Sequence, residues 1–260
     1  MMKYLSLKQI KLFIVASCFF IISSLCIASE HIQIVTEYFP PYSISVDGQV
    51  EGISTEVVRA VLNDLKLTHL PIRLYPWLRT YQKALKEKNT LIFSIGRNAK
   101  RKKLFKWVGV IAPAKFYIFS LHNRNDISLN SLEDVKQYTL GTVVNDVREQ
   151  FLVDRGFVKG KEIFTTFDHA QNLTKLLRGR IDLWPMNELA AYYLVKKRKL
   201  VPKYTIKKVY HLADLSMEGY YMAFNKDTDD ETVNQFRRSL EKIKNEGIYK
   251  KIISSYLVVE

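Results

Sequence analysis

From residue 31 onward, short runs rich in β-branched residues alternate with stretches whose apolar residues recur at helical spacing. That alternation points to an α/β architecture with largely parallel sheets. Ile32 to Thr36 reads as a strand. Gly52-Ile53-Ser54 then opens a helix, with Ser54 as its cap, Glu56 at its positive end, and Val57, Val58, Val61, Leu62 and Leu65 forming one apolar stripe. Ile72 to Tyr75 reads as a second strand, Trp77 to Lys88 as a second amphipathic helix and Leu91 to Ile95 as a third strand.

The middle of the chain repeats the pattern with clearer punctuation. Ser131-Leu132-Glu133-Asp134 has the form of a capping box, and Tyr138 to Val143 reads as a strand. Asp146-Val147-Arg148-Glu149 is a second capping box, opening a helix that stops at Gly156. Asp168 with Gln171 caps a helix that ends at Gly179, Ile181 to Pro185 reads as a short buried strand, and Asn187 to Lys197 as a helix. Tyr220 to Phe224 is a further strand, followed by a long helix with Val233, Phe236, Leu240 and Ile243 on its inner side. There is no internal repeat, low-complexity segment or Pro/Gly-rich linker, so two domains would be joined by ordered strands acting as a hinge.

The N-terminus sets the expected compartment. Lys3, Lys8 and Lys11 precede a charge-free stretch from Leu12 to Ser29, and Cys26-Ile27-Ala28 supplies small residues where a signal peptidase reads, so residues 1–28 are expected to be a cleaved secretory signal. The apolar run falls short of the roughly 20 residues of a membrane span, which argues against a retained anchor. Val15-Ala16-Ser17-Cys18 has the look of a lipoprotein box but sits too early, with Phe19 to Leu25 still apolar beyond it. Both cysteines, Cys18 and Cys26, lie in this segment, so the exported chain would have no disulfide, thiolate chemistry or Cys-ligated metal.

A formal net charge of +14, from 40 Lys+Arg against 26 Asp+Glu, first invites a polyanion partner. Export argues against nucleic acid. The runs Lys100-Arg101-Lys102-Lys103 and Lys196-Lys197-Arg198-Lys199 are read as solvated faces.

The sequence contains no Gly-rich phosphate loop, no His-Glu-x-x-His and no Gly-x-Ser-x-Gly. His31, His69, His122, His169 and His211 have no metal-ligand spacing and read as surface or capping residues. No catalytic residue, metal or cofactor is therefore expected. Three clusters of aromatics and cations stand at element ends instead: Tyr38-Phe39-Pro40-Pro41-Tyr42, Pro76-Trp77-Leu78-Arg79 and Gly96-Arg97-Asn98-Ala99-Lys100-Arg101. Each follows a strand, so all three should converge at the carboxyl ends of a sheet, where α/β folds bind ligands. Aromatic faces would flank an apolar or cationic group, and a guanidinium would take a carboxylate through two hydrogen bonds. The pattern alone equally allows core aromatics with solvated arginines.

Four blocks in order resemble family 3 of the bacterial extracellular solute-binding proteins, best known from polar amino-acid ABC importers. They are Phe39-Pro40-Pro41-Tyr42 with Asp47-Gly48 and Gly52-Ile53-Ser54; Ser94 to Arg101 with Phe105-Lys106-Trp107-Val108; Gly179-Arg180-Ile181-Asp182; and Phe224-Asn225-Lys226 through Tyr256-Leu257. The resemblance implies a two-lobed periplasmic-binding-protein-like fold of type II, with two α/β lobes joined by two hinge strands. Lobe one would combine residues 29–118 with 218–260 and lobe two would take 119–217, with crossings near Tyr117 to Leu121 and Leu215 to Tyr221. It further implies a monomeric, non-enzymatic periplasmic receptor that closes over a small-molecule ligand and serves an ABC permease or a membrane sensor.

Carried over position by position, the resemblance makes Arg101 the carboxylate clamp, gives Ser94 and Gly96 hydroxyl or backbone contacts, and makes Phe39 and Trp77 aromatic walls. Three positions depart from the family pattern. Asn98 replaces a threonine, Asn187 replaces the aspartate that holds a ligand amino group, and Asp146 stands at a helix start that normally offers free backbone amides. Glu188 follows Asn187 but should point elsewhere. Either Glu37 or Asp146 supplies the missing anion, or the ligand is not an α-amino acid. Arg79 is either a second cleft cation or a helix-surface residue, and the role of Arg97 stays open. Two rivals share the fold: a lyase or dehydratase using Glu37 or Asp146, and a membrane-tethered sensory module.

Overall fold

The first expected strand forms as β1 (Gln33–Thr36), in a computed structural model that describes residues 32–216 and 219–257. The secretory signal, both cysteines and the lipoprotein-like box lie outside the described residues. After β1 comes a hairpin of β2 (Ile44–Val46) and β3 (Gln49–Glu51), turning on Asp47 and Gly48, both at positive φ. Helix α1 (Ile53–Asp64) follows, then β4 (Ile72–Leu74), α2 (Trp77–Lys86), β5 (Thr90–Gly96), β6 (Phe105–Ala112) and β7 (Phe116–Leu121).

A 3-10 turn (Asp134–Gln137) leads to β8 (Leu140–Val143), α3 (Val147–Val153), β9 (Ile163–Thr166) and α4 (His169–Leu177). Next come β10 (Trp184–Asn187), α5 (Glu188–Lys197), α6 (Pro202–Thr205), β11 (Ile206–His211) and α7 (Ala213–Ser216). The chain closes with β12 (Tyr220–Asn225), α8 (Asp230–Asn245) and α9 (Ile248–Leu257).

The cap chemistry read from the sequence largely forms. Asp146 Oδ1 accepts from the Arg148 amide and Asp168 Oδ1 from Gln171, both at 2.8 Å. Asn187, read from the sequence only as the start of its helix and as a ligand contact, also serves as a cap, its Oδ1 accepting from the Ala190 amide at 3.2 Å. The start of α1 is different. Its cap is Gly52, and the Ser54 hydroxyl is buried without a hydrogen-bond partner. Gly52 has φ 113°, and a Cβ there would lie 2.5 Å from the Pro41 carbonyl oxygen, so only glycine lets the chain pass this close. Gly52→Ala is expected to cost about 2 kcal/mol. A thermal melt checks this, and an unchanged Tm would show that the Pro41 segment yields freely.

The sheets give two lobes. One holds five strands in the order β4-β1-β5-β12-β6, the other three in the order β10-β7-β11, with β8 and β9 paired beside it and linked through a Leu140–Leu183 bridge. Among the described strands, only β1 with its two neighbours and β8 with β9 are parallel. The returning strand β12 inserts between β5 and β6 and runs against both, and β7 is antiparallel to β10 and β11, so the sheets are more mixed than the alternation implied. The chain leaves the five-stranded sheet after Ala112, enters the other at Phe116, and returns between His211 and Tyr220. These passages are tied side by side, with the Leu212 amide donating to Phe116 O and the Phe116 amide to Ser216 Oγ, both at 2.9 Å.

In the first lobe, Val57, Val58, Val61 and Leu62 of α1 and Val233, Phe236, Leu240 and Ile243 of α8 are buried, as their helical spacing dictates. Each such side chain contributes about 1.5–3 kcal/mol of transfer free energy. This packing makes the lobe a rigid base for the loops that leave its strands.

Candidate functional site

Three loops leave the carboxyl ends of β1, β4 and β5 and bring together the side chains that the sequence grouped. After β1, Phe39 and Tyr42 stack at 5.2 Å between ring centroids, and Tyr220 meets both edge-on. At the head of α2, Trp77 leans on Tyr81. After β5, the 97–101 turn folds Arg101 back, so that its Cζ sits 5.1 Å from the centroids of both Trp77 and Tyr81. Arg101 Nη1 donates to Gly96 O at 2.9 Å and Nη2 to Asn145 O at 2.8 Å, the latter across the gap between lobes.

The Arg101 side chain is only 1% exposed, its Nε has no hydrogen-bond partner, and among the described residues it pairs with no carboxylate. Burial lowers its pKa, with Tyr81 and Asp146 opposing. Asn98 holds the turn, its Oδ1 accepting from the Arg101 amide at 2.9 Å while its Nδ2 reaches Gln150 on α3 at 2.8 Å. Ser94 Oγ belongs to a hydroxyl chain with Ser43 and Thr36. Gly96 faces Val147 so closely that a Cβ would lie 2.9 Å from a Val147 methyl.

The opposite wall comes from the second lobe. Asp146, the cap of α3, binds the guanidinium of Arg148 two residues on, through Nε at 2.5 Å and Nη2 at 2.6 Å. Arg148 Nη1 contacts Met186 Sδ, Nη2 lies 3.2 Å from His169 Nε2, and Cζ sits 5.7 Å from the Phe39 ring and 5.9 Å from the Phe116 ring. Burial alone would raise the Asp146 carboxyl, but the charge and hydrogen bonds of Arg148 outweigh it and hold Asp146 well below the usual carboxylate range. Burial and the neighbouring Arg148 push His169 down to about 3. Glu37 at the end of β1 is pushed up to about 8, by burial first and by Asp146 second, with Arg148 and Arg101 pulling the other way.

Asn187, expected to face a ligand, is fully committed to structure. Besides capping α5 it accepts from Tyr42 Oη at 3.0 Å and donates to Lys115 O at 3.4 Å. Glu188 points away and pairs with Lys208. Arg79 is exposed and lies over Tyr75, whereas Arg97 lies over Trp107 and Tyr221 beside the open cleft. That cleft, of about 360 Å³, is bordered by Gly96, Arg97, Asn98, Phe116, Val147 and Phe151.

Sequence reasoning missed Arg148, His169, Phe116, Met186 and Tyr220. His169 is buried against Phe39 at 5.1 Å, not a surface or capping residue, because the start of α4 packs against Phe39 and Arg148. The signal in the sequence was Asp146-x-Arg148 directly after a strand. An aspartate capping a helix can bind a guanidinium at the second helical position, at the same end of the fold as the other clusters.

A profile of the bacterial extracellular solute-binding proteins, family 3, matches residues 32–259. No curated protein sequence matches this chain. Among solved structures, a histidine kinase sensor domain with similarity to periplasmic binding proteins superposes with a TM-score of 0.75 at 20% identity, covering 88% of this chain and 97% of its own. An ancestral arginine-binding protein bound to arginine gives 0.72 at 21%, covering 87% and 98%. An amino acid ABC transporter substrate-binding protein from Streptococcus pneumoniae bound to L-arginine gives 0.70 at 17%, covering 88% and 95%. At these identities the likeness is one of fold.

Proposed function

The chain belongs to the bacterial extracellular solute-binding proteins, family 3, and from that premise we propose that it is an exported, periplasmic receptor for a small polar solute bearing a carboxylate. The observation that carries this reading is Arg101. It is a buried guanidinium packed against two adjacent aromatic rings, with one N–H unpartnered and no carboxylate paired to it among the described residues, set where the two lobes meet. A solute carboxylate is the group that would satisfy it, and the Asn98 turn holds the fork in place for it.

Closing two lobes over a solute is a population shift driven by the solute's preference for the closed state. The closed shape would be read by an ABC permease, as in the transporter-linked structure above, or by a membrane sensor, as in the histidine kinase domain. The receptor would act as a monomer. The conventional amino-acid assignment has weak support here, because Asn187 carries no charge and Asp146 is already neutralised by Arg148.

A second reading rests on Glu37, a buried carboxyl that stays protonated up to about pH 8 beside the cleft and so has the character of a general acid. Conversion of a bound solute, seen by mass spectrometry after incubation with the protein, would favour a lyase or dehydratase over a receptor.

Arg101→Ala tests the receptor reading. A thermal-shift screen of the exported chain against organic acids, amino acids and amines is expected to yield a carboxylate that raises the Tm. In Arg101→Ala its affinity should fall by at least about thirtyfold, the equivalent of 2 kcal/mol for losing one side of a buried charge pair. Unchanged affinity by calorimetry would remove Arg101 from the site.

A further inference from the structure

Arg148 is placed as a bound guanidinium ligand would be. Its Cζ lies over both the Phe39 and the Phe116 ring, each within the roughly 6 Å at which a cation is attracted to an aromatic face. Both oxygens of Asp146 take its N–H groups, the remaining edge meets Met186 Sδ, and one Nη2 faces His169 Nε2. The rings come from both sides of the cleft: Phe39 from the loop after β1 of the first lobe, Phe116 from the start of β7 in the second. His169 is uncharged at neutral pH, so its Nε2 can accept and adds no repulsion. The Arg148 side chain is 4% exposed and its Asp146 partner 8%, so the pair is closed off from solvent.

We infer that Phe39, Phe116, Asp146, Met186 and His169 form a guanidinium-binding box that the chain fills with its own Arg148, and that this tethered cation bars ammonium and guanidinium groups of solutes from the cleft. The box stands on geometry alone, whereas its consequence for solute class rests on the receptor reading above. A tethered group competes at an effective concentration in the millimolar range or higher, so a free cation would have to displace it and leave a buried arginine without its carboxylate. With Arg148 in place, two guanidinium cations, Arg101 and Arg148, face one ionised carboxylate, Asp146, while Glu37 remains protonated at neutral pH. The cluster therefore carries one uncompensated positive charge. It suits a solute that brings one carboxylate and no cationic group, unlike the arginine held by the ancestral binding protein.

Chemical rescue tests the box. Arg148→Ala empties it, and ethylguanidinium chloride is the probe, with ethylammonium chloride and sodium chloride as controls at equal ionic strength. For a millimolar site, about 10 mM ethylguanidinium should raise the Tm of Arg148→Ala by about 3 °C. Neither control should do so, and the wild type should not respond. Should Arg148→Ala not fold unaided, its refolding yield with and without the probe gives the same reading. Rescue equal in all three salts, or absent, would overturn the box and leave Arg148 as an ordinary ion-pair partner.

Calorimetry on the wild type adds an arm that needs no variant. L-arginine and agmatine are expected to give no binding heat, and binding of either with Arg148 present would overturn the exclusion. If no solute at all shifts the wild type but ethylguanidinium rescues Arg148→Ala, the receptor reading fails and the box stands. If the wild type binds L-arginine, the receptor reading survives and the exclusion fails, while the rescue of Arg148→Ala still decides the box.

Discussion

Asp146→Ala is expected to destabilise the folded chain by about 3–5 kcal/mol, because it strands a buried guanidinium with no counter-charge. For a protein of this size that is a fall in Tm on the order of 10 °C. The expectation follows from how fully Asp146 is used. It caps α3 through the Arg148 amide, holds the Arg148 fork through both oxygens, and is itself buried, so neither partner can turn to water when the other is removed.

The cap alone would account for only about 1 kcal/mol of that loss. A thermal melt and a urea midpoint separate the two magnitudes. A fall of about 1 kcal/mol would mean that Arg148 escapes to solvent and that the pair is dispensable. The double change Asp146→Ala with Arg148→Met should recover much of the loss, since an apolar pair of similar volume often replaces a buried ion pair at little cost. Failure of the second substitution to recover stability would place the damage in the cap or in the Phe39 contact, not in the stranded charge.

The same pair marks where the sequence was readable and where it was not. Elements with strong local chemistry could be read: the stripe on α1, the Asp146 and Asp168 caps, and the loops after β1, β4 and β5 that gather Phe39, Trp77 and Arg101. β6 and β11 were not, and their burial explains why. β6 is half-buried along most of its length with no alternation, and β11 carries Lys207 and Lys208 on an edge of its sheet, so neither shows a period of two. Arg148 was hidden for a different reason. An arginine at the second position of a helix is indistinguishable in sequence from a solvated one. Its burial depends on Phe39, more than a hundred residues away, and on Phe116, which the fold brings to the same point. Asn187 shows the converse, since the local sequence identified the position but not that Tyr42 and Lys115 would occupy its side chain.

Glu37→Gln should make the protein more stable at alkaline pH while leaving it unchanged near pH 5. Glu37 is pushed from 4.5 in the unfolded chain up to about 8 in the folded one, so the folded state holds a proton that the unfolded state releases. The stability tied to that proton is fully present below pH 4.5, falls as pH rises, and is gone above about pH 8. At 1.36 kcal/mol per pH unit the loss across this window is about 5 kcal/mol.

Other groups in the cleft act in the opposite direction: His169, pushed down to about 3, and Asp146, held low, both weaken the fold as pH falls. They are common to both proteins and cancel in the comparison. A glutamine side chain keeps the shape of the protonated carboxyl without its titration, so the Tm of the variant minus that of the wild type should be near zero at pH 5. It should climb from there and level off above pH 8 at about 10 °C. A difference that stays flat, or that grows toward acid, would show that Glu37 is ionised in the folded protein. The cluster of Arg101, Arg148, Asp146 and Glu37 would then be electrically neutral, removing the uncompensated charge that attracts a carboxylate to Arg101.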